Sequence, residues 1–315
     1  MKKSYLISIL FLGISTAVPF RTSAQEAMPT FLMNADASAL YSAGATVASE
    51  AEAFALERNP AMMSFYEGRM DAALSYSLWS PASRKEHNVA LGGFCRIGKR
   101  IGLGLHAEFL LQQPYTITDG NGIAQQVNGV FRPGENNFAL GLSCLVTDWL
   151  SLGANLKLGT SKLAPGAKAS AFAADIYAAY KSSFGLSAGL GVCNLGTKVK
   201  YGPESIYALP SYLRAGVSYG IMGLRVNGEL DYLFSKALMA GVSASWWYKE
   251  YAGLSVGYHY GGGKLGGSGP APLSIPSYFS LGVGAAFKGL HLDLAYLLST
   301  SAIKNTISCT IGYRF

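Results

Sequence analysis

Residues 223–234, GLRVNGELDYLF, alternate almost without interruption, Leu224, Val226, Gly228, Leu230, Tyr232 and Phe234 against Arg225, Asn227, Glu229 and Asp231. A period of two places successive side chains on opposite faces of a β-strand, so the stretch predicts a strand with one apolar and one charged face. Residues 290–299 repeat it, with Leu290, Leu292, Leu294, Tyr296 and Leu298 against His291 and Asp293. Comparable segments follow one another at roughly 69–80, 86–97, 101–112, 135–147, 149–161, 168–181, 184–195, 208–219, 223–234, 237–249, 251–261, 277–288, 290–299 and 304–315. That is about fourteen strands, an even number as closed antiparallel barrels of bacterial outer membranes require.

The chain starts MKKSYLISILFLGISTAVPFRTSA, with Lys2 and Lys3 ahead of an apolar run and Ser23-Ala24 before Gln25. This predicts a cleavable secretory signal over residues 1–24. The first cysteine is Cys95, so a lipid-anchored N-terminus is not expected. Loss of Lys2, Lys3 and Arg21 lowers the net charge from +7 to +4, and the remaining Lys and Arg are scattered, without the basic patch that nucleic-acid binding needs. Half the residues are hydrophobic and mean hydropathy is positive, which points to a membrane. A spanning helix needs roughly 20 consecutive apolar residues. The longest charge-free stretch after the signal, Leu265 to Phe287, holds Pro270, Pro272, Pro276 and five glycines and cannot be one. The other structure that satisfies its backbone in lipid is a closed barrel. The prediction is therefore an all-β transmembrane antiparallel barrel over residues 69–315, preceded by a helical plug segment over 25–68, in the outer membrane with lipid and lipopolysaccharide around it.

Outer-membrane barrels have short periplasmic turns and longer outer loops. The even-numbered connections here are short, at 98–100, Asp148, Ser182-Ser183, 220–222, Glu250 and Gly289; the odd-numbered ones include the long stretches 113–134, 196–207 and 262–276. The short side, and both termini, are thus expected in the periplasm. Aromatic residues fall where two interfaces should lie: Tyr180, Tyr219, Tyr248, Phe287 and Tyr313 at the short-turn ends, and Phe109, Phe234, Tyr258, Tyr260 and Tyr296 at the others. A soluble all-β protein has no reason for two such belts. The chain closes on Tyr313-Arg314-Phe315, which resembles the C-terminal signal, here Tyr313 and Phe315, by which such barrels are handed to the barrel-assembly machinery.

No catalytic constellation emerges, and no enzyme, cofactor or metal is expected. His87, His106, His259 and His291 lie on different strands without ligand spacing. Cys95, Cys144 and Cys309 fall on the lipid-facing phase of non-neighbouring strands and Cys193 on the lumen phase, too far apart to bridge. The Gly-rich stretch 261–269 lacks both the spacing and the following helix of a phosphate-binding loop and reads as an outer loop. The informative charges face inward: Glu108, Lys157, Arg214, Arg225, Glu229, Asp231, His291 and Asp293. They are candidates for a salt-bridged network that fills the lumen, since buried charges are usually paired, or for a conducting or ligand-selecting site.

Ahead of the first strand, residues 48–58 read as a short helix stopped before Asn59, because the residue preceding a proline is disfavoured in the helical region. Asn59-Pro60-Ala61 then becomes the hinge where plug hands over to barrel at the periplasmic mouth. The order Phe31-Leu32, Ala35-Asp36-Ala37, Gly44-Ala45, an Ala/Glu stretch at 48–53 and Asn59-Pro60-Ala61 resembles the N-terminal signature of the PorV/PorQ family of Bacteroidota outer-membrane proteins. That family is related to the FadL hydrophobic-compound channels, which have a similar Asn-Pro-Ala after an N-terminal hatch and also form fourteen-stranded barrels. Relatives often carry Asp where this chain has Glu50 or Glu52, and the chain is short for a FadL channel.

The resemblance implies a non-enzymatic accessory barrel of type IX secretion, with translocon or attachment-complex proteins and cargo C-terminal domains as partners. The alternative is a FadL-like channel for uptake of small hydrophobic compounds.

Overall fold

The computed structural model describes residues 26–80, 85–118, 129–249, 251–262, 275–299 and 305–315; the expected signal, Glu250, residues 81–84 and 300–304, and much of the expected long connections 113–134 and 262–276 lie outside these. Fourteen antiparallel strands close into a barrel. In order they are β1 (Met70–Trp79), β2 (Glu86–Ile97), β3 (Ile101–Leu111), β4 (Gly134–Thr147), β5 (Leu150–Ala164), β6 (Ala167–Lys181), β7 (Leu186–Gly196), β8 (Tyr212–Ile221), β9 (Leu224–Leu233), β10 (Ala237–Tyr248), β11 (Ala252–Tyr260), β12 (Tyr278–Phe287), β13 (Leu290–Ser299) and β14 (Thr306–Arg314). Each pairs with the next, and β1 closes on β14 from Asp71↔Arg314 to Leu78↔Ile307. With no edge left, every strand finds its ladder inside the wall, as lipid demands.

The period-two pattern does what it predicts. On β9, Leu224, Val226, Leu230 and Tyr232 are exposed while Asn227, Glu229 and Asp231 are buried. Leu156 is 71% exposed and Leu140 69%, values that a water-soluble surface would not carry across a whole circumference. The exterior is a lipid-facing band, and Tyr180, Tyr219, Tyr248, Phe287 and Tyr313 mark its short-turn rim, joined there by Trp149 and Tyr251. Two of the short turns, Met222-Gly223 and Lys288-Gly289, have both residues at positive φ, the two-residue geometry whose twist matches that of the flanking strands.

Several expected boundaries move, most by a residue or two, and three of the shifts have local reasons. Strand β8 starts at Tyr212 rather than 208, because Pro210 has no N–H to give to a ladder. Strands β5 and β6 run three and one residues further, to Ala164 and from Ala167, each 15 residues long; the outward phase turns from apolar to polar there, so the apolar alternation ends before the strand does. Part of two long connections is ordered as small ribbons, Tyr115–Thr116 with Val130–Phe131 and Val199–Lys200 with Ile206–Tyr207.

The segment before β1 differs more. Residues 48–58 do not form one helix. Helices span Ala37–Tyr41 (α1) and Ala55–Arg58 (α2), with 3₁₀ turns at Pro29–Phe31 and Pro60–Phe65. Asp36 caps α1 by accepting from the Ala39 N–H at 3.2 Å. Nor do both ends of the described chain lie at the short-turn rim: Glu26 bridges Ala208 at the long-loop end, so the segment enters there and descends through the lumen to Arg69, whose N–H donates to the Phe315 carbonyl at 2.9 Å.

Candidate functional site

The lumen is occupied by residues 26–66, and the wall is shaped to receive them. A Cβ on Gly282 would overlap Tyr41, one on Gly189 would overlap the Val47 carbonyl, and one on Gly153 would overlap the Ala61 amide nitrogen. Tyr41, Val47, Leu56, Ala61 and Met63 are buried with the wall around them. Between residues 30 and 66 no backbone ladder joins this plug to the wall among the described residues. The contacts that fix it run through side chains, and they gather into three groups.

The first group ties the plug to the β1–β14 seam. Arg58 pairs with Asp36 and, at 3.1 Å, with Glu52. Glu52 also accepts from the Ser38 hydroxyl at 2.7 Å and lies 3.3 Å from Arg314, whose Nε is 3.4 Å from Asp71. His291 stands between Asp71, at 3.2 Å, and Asp293, at 3.4 Å, and the Tyr41 hydroxyl donates to Asp293 at 3.1 Å. Burial alone would push the Glu52 carboxyl up, but Arg58 and then Arg314 outweigh it and hold it down at about 2.

The second group lies under α2. Lys157 is 2.8 Å from Asp175 and 3.2 Å from Glu57 of the plug, and donates to Asn194 Oδ1 at 3.2 Å. His106 is 3.8 Å from Glu57 and 3.7 Å from Glu108, which accepts from Asn88 at 2.7 Å. Burial raises the Glu57 carboxyl and the Lys157 ammonium pulls it back below its ordinary value. Asn194 sits at positive φ in β7, where the β6–β7 register shifts, and its N–H donates to Asp175 at 2.6 Å.

The third group holds the bend before residue 48. Glu229 accepts from the Thr46 and Val47 N–H groups at 2.7 and 2.6 Å, and Arg214 bridges Glu229, at 2.9 Å, to Asp231, at 3.0 Å.

Of the eight charges read from the strands, seven are buried in the lumen and are divided among these groups. Arg225 stands apart: it is half-buried near the short-turn rim and pairs with Glu50 at 2.6 Å. Arg214 and Arg225 are on adjacent strands but oppose Asp231 and Gly220 respectively, so they do not meet. Asn59 accepts from the Ala61 N–H at 3.0 Å and donates to the Val47 carbonyl at 2.7 Å, while Pro60 opens the 3₁₀ turn. Tyr313 and Phe315 are exposed with ring centroids 4.6 Å apart.

Sequence reasoning did not assign to the lumen network Asp36, Glu52, Glu57 and Arg58 on the plug or Asp71, His106, Asp175 and Arg314 on the wall. The wall residues Asp71, His106 and Asp175 were within reach, since each sits on the lumen phase of its strand. Two cavities beside the plug measure about 20 and 10 Å³, room for a water at most. No group of three metal-ligating side chains occurs among the described residues.

The barrel fold has counterparts among solved structures. The Ralstonia pickettii toluene transporter TbuX superposes with a TM-score of 0.61 at 14% identity, over 89% of this chain and 97% of that one. The monoaromatic hydrocarbon channel CymD gives 0.63 at 13% over 89% and 97%, and a Pseudomonas aeruginosa FadL homologue 0.57 at 12% over 93% and 100%. The fold is that of the FadL-like channels. At such identities the likeness is one of FadL-like fold and carries no residue roles across. No family model matches the sequence, and no curated protein matches it either.

Proposed function

We propose that this chain is a non-enzymatic barrel of the outer membrane that admits small hydrophobic molecules past a plug held in its lumen. The observation that carries the reading is the likeness over nearly the whole of both chains to proteins described as a toluene transporter and a monoaromatic hydrocarbon channel. The attachment of the plug supports it: between residues 30 and 66 the insert is joined to the wall through side chains, so that part can shift without breaking a barrel ladder. Uptake of radiolabelled toluene by cells with an intact outer membrane, with and without the gene, tests this. Faster entry in expressing cells is the expected result; equal entry for toluene and for longer hydrocarbons would remove the reading.

A second reading, an accessory barrel of type IX secretion, is favoured by the resemblance of residues 31–61 to the PorV/PorQ signature and by the small size, about 20 and 10 Å³, of two cavities that flank the plug. It expects secretion components in a pull-down from native outer membrane and no hydrocarbon uptake. Recovery of none would count against it.

A further inference from the structure

The hairpin of β5 and β6 has the longest strands of the barrel, 15 residues each, and its outward face changes character along its length. On β5 the outward residues run Leu152, Ala154, Leu156, Leu158, then Thr160 and Lys162; on β6, from the same rim, Ala178, Ile176, Ala174, Phe172, then Ser170 and Lys168. The register pairs Leu158 with Phe172, Thr160 with Ser170, and Lys162 with Lys168, so the change from apolar to polar to basic happens at one height on both strands. Phe172 is 63% exposed and marks the last apolar layer. The two lysines therefore stand four residues, roughly 13 Å along the strand, beyond the last apolar pair, at the level of the headgroups.

Lys162 and Lys168 face each other directly, an arrangement that repels. Lys198 and Lys200, from the connection after β7, complete the lining of the same open cleft, about 530 Å³ in volume, with Thr160 and Ser170 as neutral hydrogen-bonding groups. No acidic side chain lines the cleft. None of the four lysines makes an ion pair among the described residues, and all four are exposed. The lumen cations Arg58, Lys157, Arg214, Arg225 and Arg314 are answered by carboxylates at 2.6–3.4 Å; here four lysines converge without one.

We propose that this cleft binds the phosphorylated headgroup of a lipid in the leaflet at the long-loop rim, with the acyl chains lying down the wall over Phe172 and Leu158. Phosphate supplies the missing charge and accepts from several ammonium groups at once. The apolar residues directly beneath the cleft select a lipid over a soluble anion, because only a lipid fills both levels. The inference needs the barrel to span a membrane and is independent of what crosses its lumen.

The test uses the full mature barrel in neutral detergent, with lipid retention read by native mass spectrometry. The probes are bisphosphorylated lipid A, the same lipid stripped of phosphate, and inorganic phosphate. The protein is expected to retain the bisphosphorylated lipid at least tenfold better than the stripped one, and to lose it as salt is raised, since exposed charges are screened. The quadruple variant Lys162→Gln/Lys168→Gln/Lys198→Gln/Lys200→Gln should lose that preference by tenfold or more, and the matching quadruple Arg variant should keep it. Equal retention of both lipids, an unchanged preference in the Gln variant, or displacement by millimolar inorganic phosphate would each overturn the proposal. Should the Gln variant fail to show the gel shift of a folded barrel on heating, the salt dependence of the natural protein decides: binding insensitive to salt overturns it equally.

Discussion

The Asn59 side chain closes the plug on itself: its amide donates to the Val47 carbonyl across 2.7 Å, twelve residues back, while its oxygen accepts the Ala61 N–H at 3.0 Å. The same residue thereby caps the 3₁₀ turn that Pro60 opens and anchors the bend that Glu229 grips from the wall. Asn59→Asp retains the acceptor for Ala61 but sets a carboxylate against the Val47 carbonyl; Asn59→Ala loses both bonds and leaves buried polar groups unmet. Each lost buried bond costs about 1–3 kcal/mol. Both variants should loosen the plug with the barrel still closed, seen as protease cleavage between residues 26 and 68 with an unchanged heat-dependent gel shift. Full protection in both would assign Asn59 no structural role.

Lys157 is the cation on which Glu57 of the plug and Asp175 of the wall converge, at 3.2 and 2.8 Å. Removing one partner of a buried pair leaves the others uncompensated, at about 3–5 kcal/mol. Lys157→Met should therefore lower the unfolding temperature clearly. Adding Glu57→Gln and Asp175→Asn to it should recover much of the loss, because the orphaned charges go with the cation. A triple variant no more stable than the single would mean that Lys157 acts through something other than charge.

The wall glycines make a sharper demand. At Gly153 and Gly189 an added Cβ would overlap backbone of the plug, the Ala61 nitrogen and the Val47 carbonyl, which cannot swing aside as a side chain can. Gly153→Leu and Gly189→Leu are expected to expel the plug and raise single-channel conductance in planar bilayers. Gly202→Leu, with open space around it, should leave conductance as it was. Conductance unchanged in all three would mean that the plug does not limit passage.

The strands were legible because their pattern is set by two solvents, lipid outside and a polar lumen inside, and each strand reports its own faces. Leu224 to Asp231 needed no partner to be read. The plug was not legible in that way. Residues 48–53 are rich in Ala and Glu, which favours a helix locally, yet Glu50 and Glu52 turn to Arg225 and to Arg58 and Arg314 instead, so tertiary pairing overrides propensity. Glu57 and Asp36 carry no periodic signal at all; their partners lie 100 and 22 residues away. Lys162 and Lys168 hid for the opposite reason, falling on a phase that lower in the wall is apolar.

Acid should release the plug. The Glu52 carboxyl, between Arg58 and Arg314, is held at about 2, and Glu57 beside Lys157 is lowered as well. An unfolded glutamate titrates near 4.3. A group depressed in the folded state contributes its full stabilisation above the unfolded value and loses it as pH falls toward the folded one. The part of the conductance that depends on Glu52 should thus rise between about pH 4 and pH 2. Glu52→Gln carries the loss at every pH: its conductance at neutral pH should be higher than that of the natural protein, and its rise in acid smaller. Superimposable acid profiles for the two proteins would show that Glu52 is not among the groups that hold the plug.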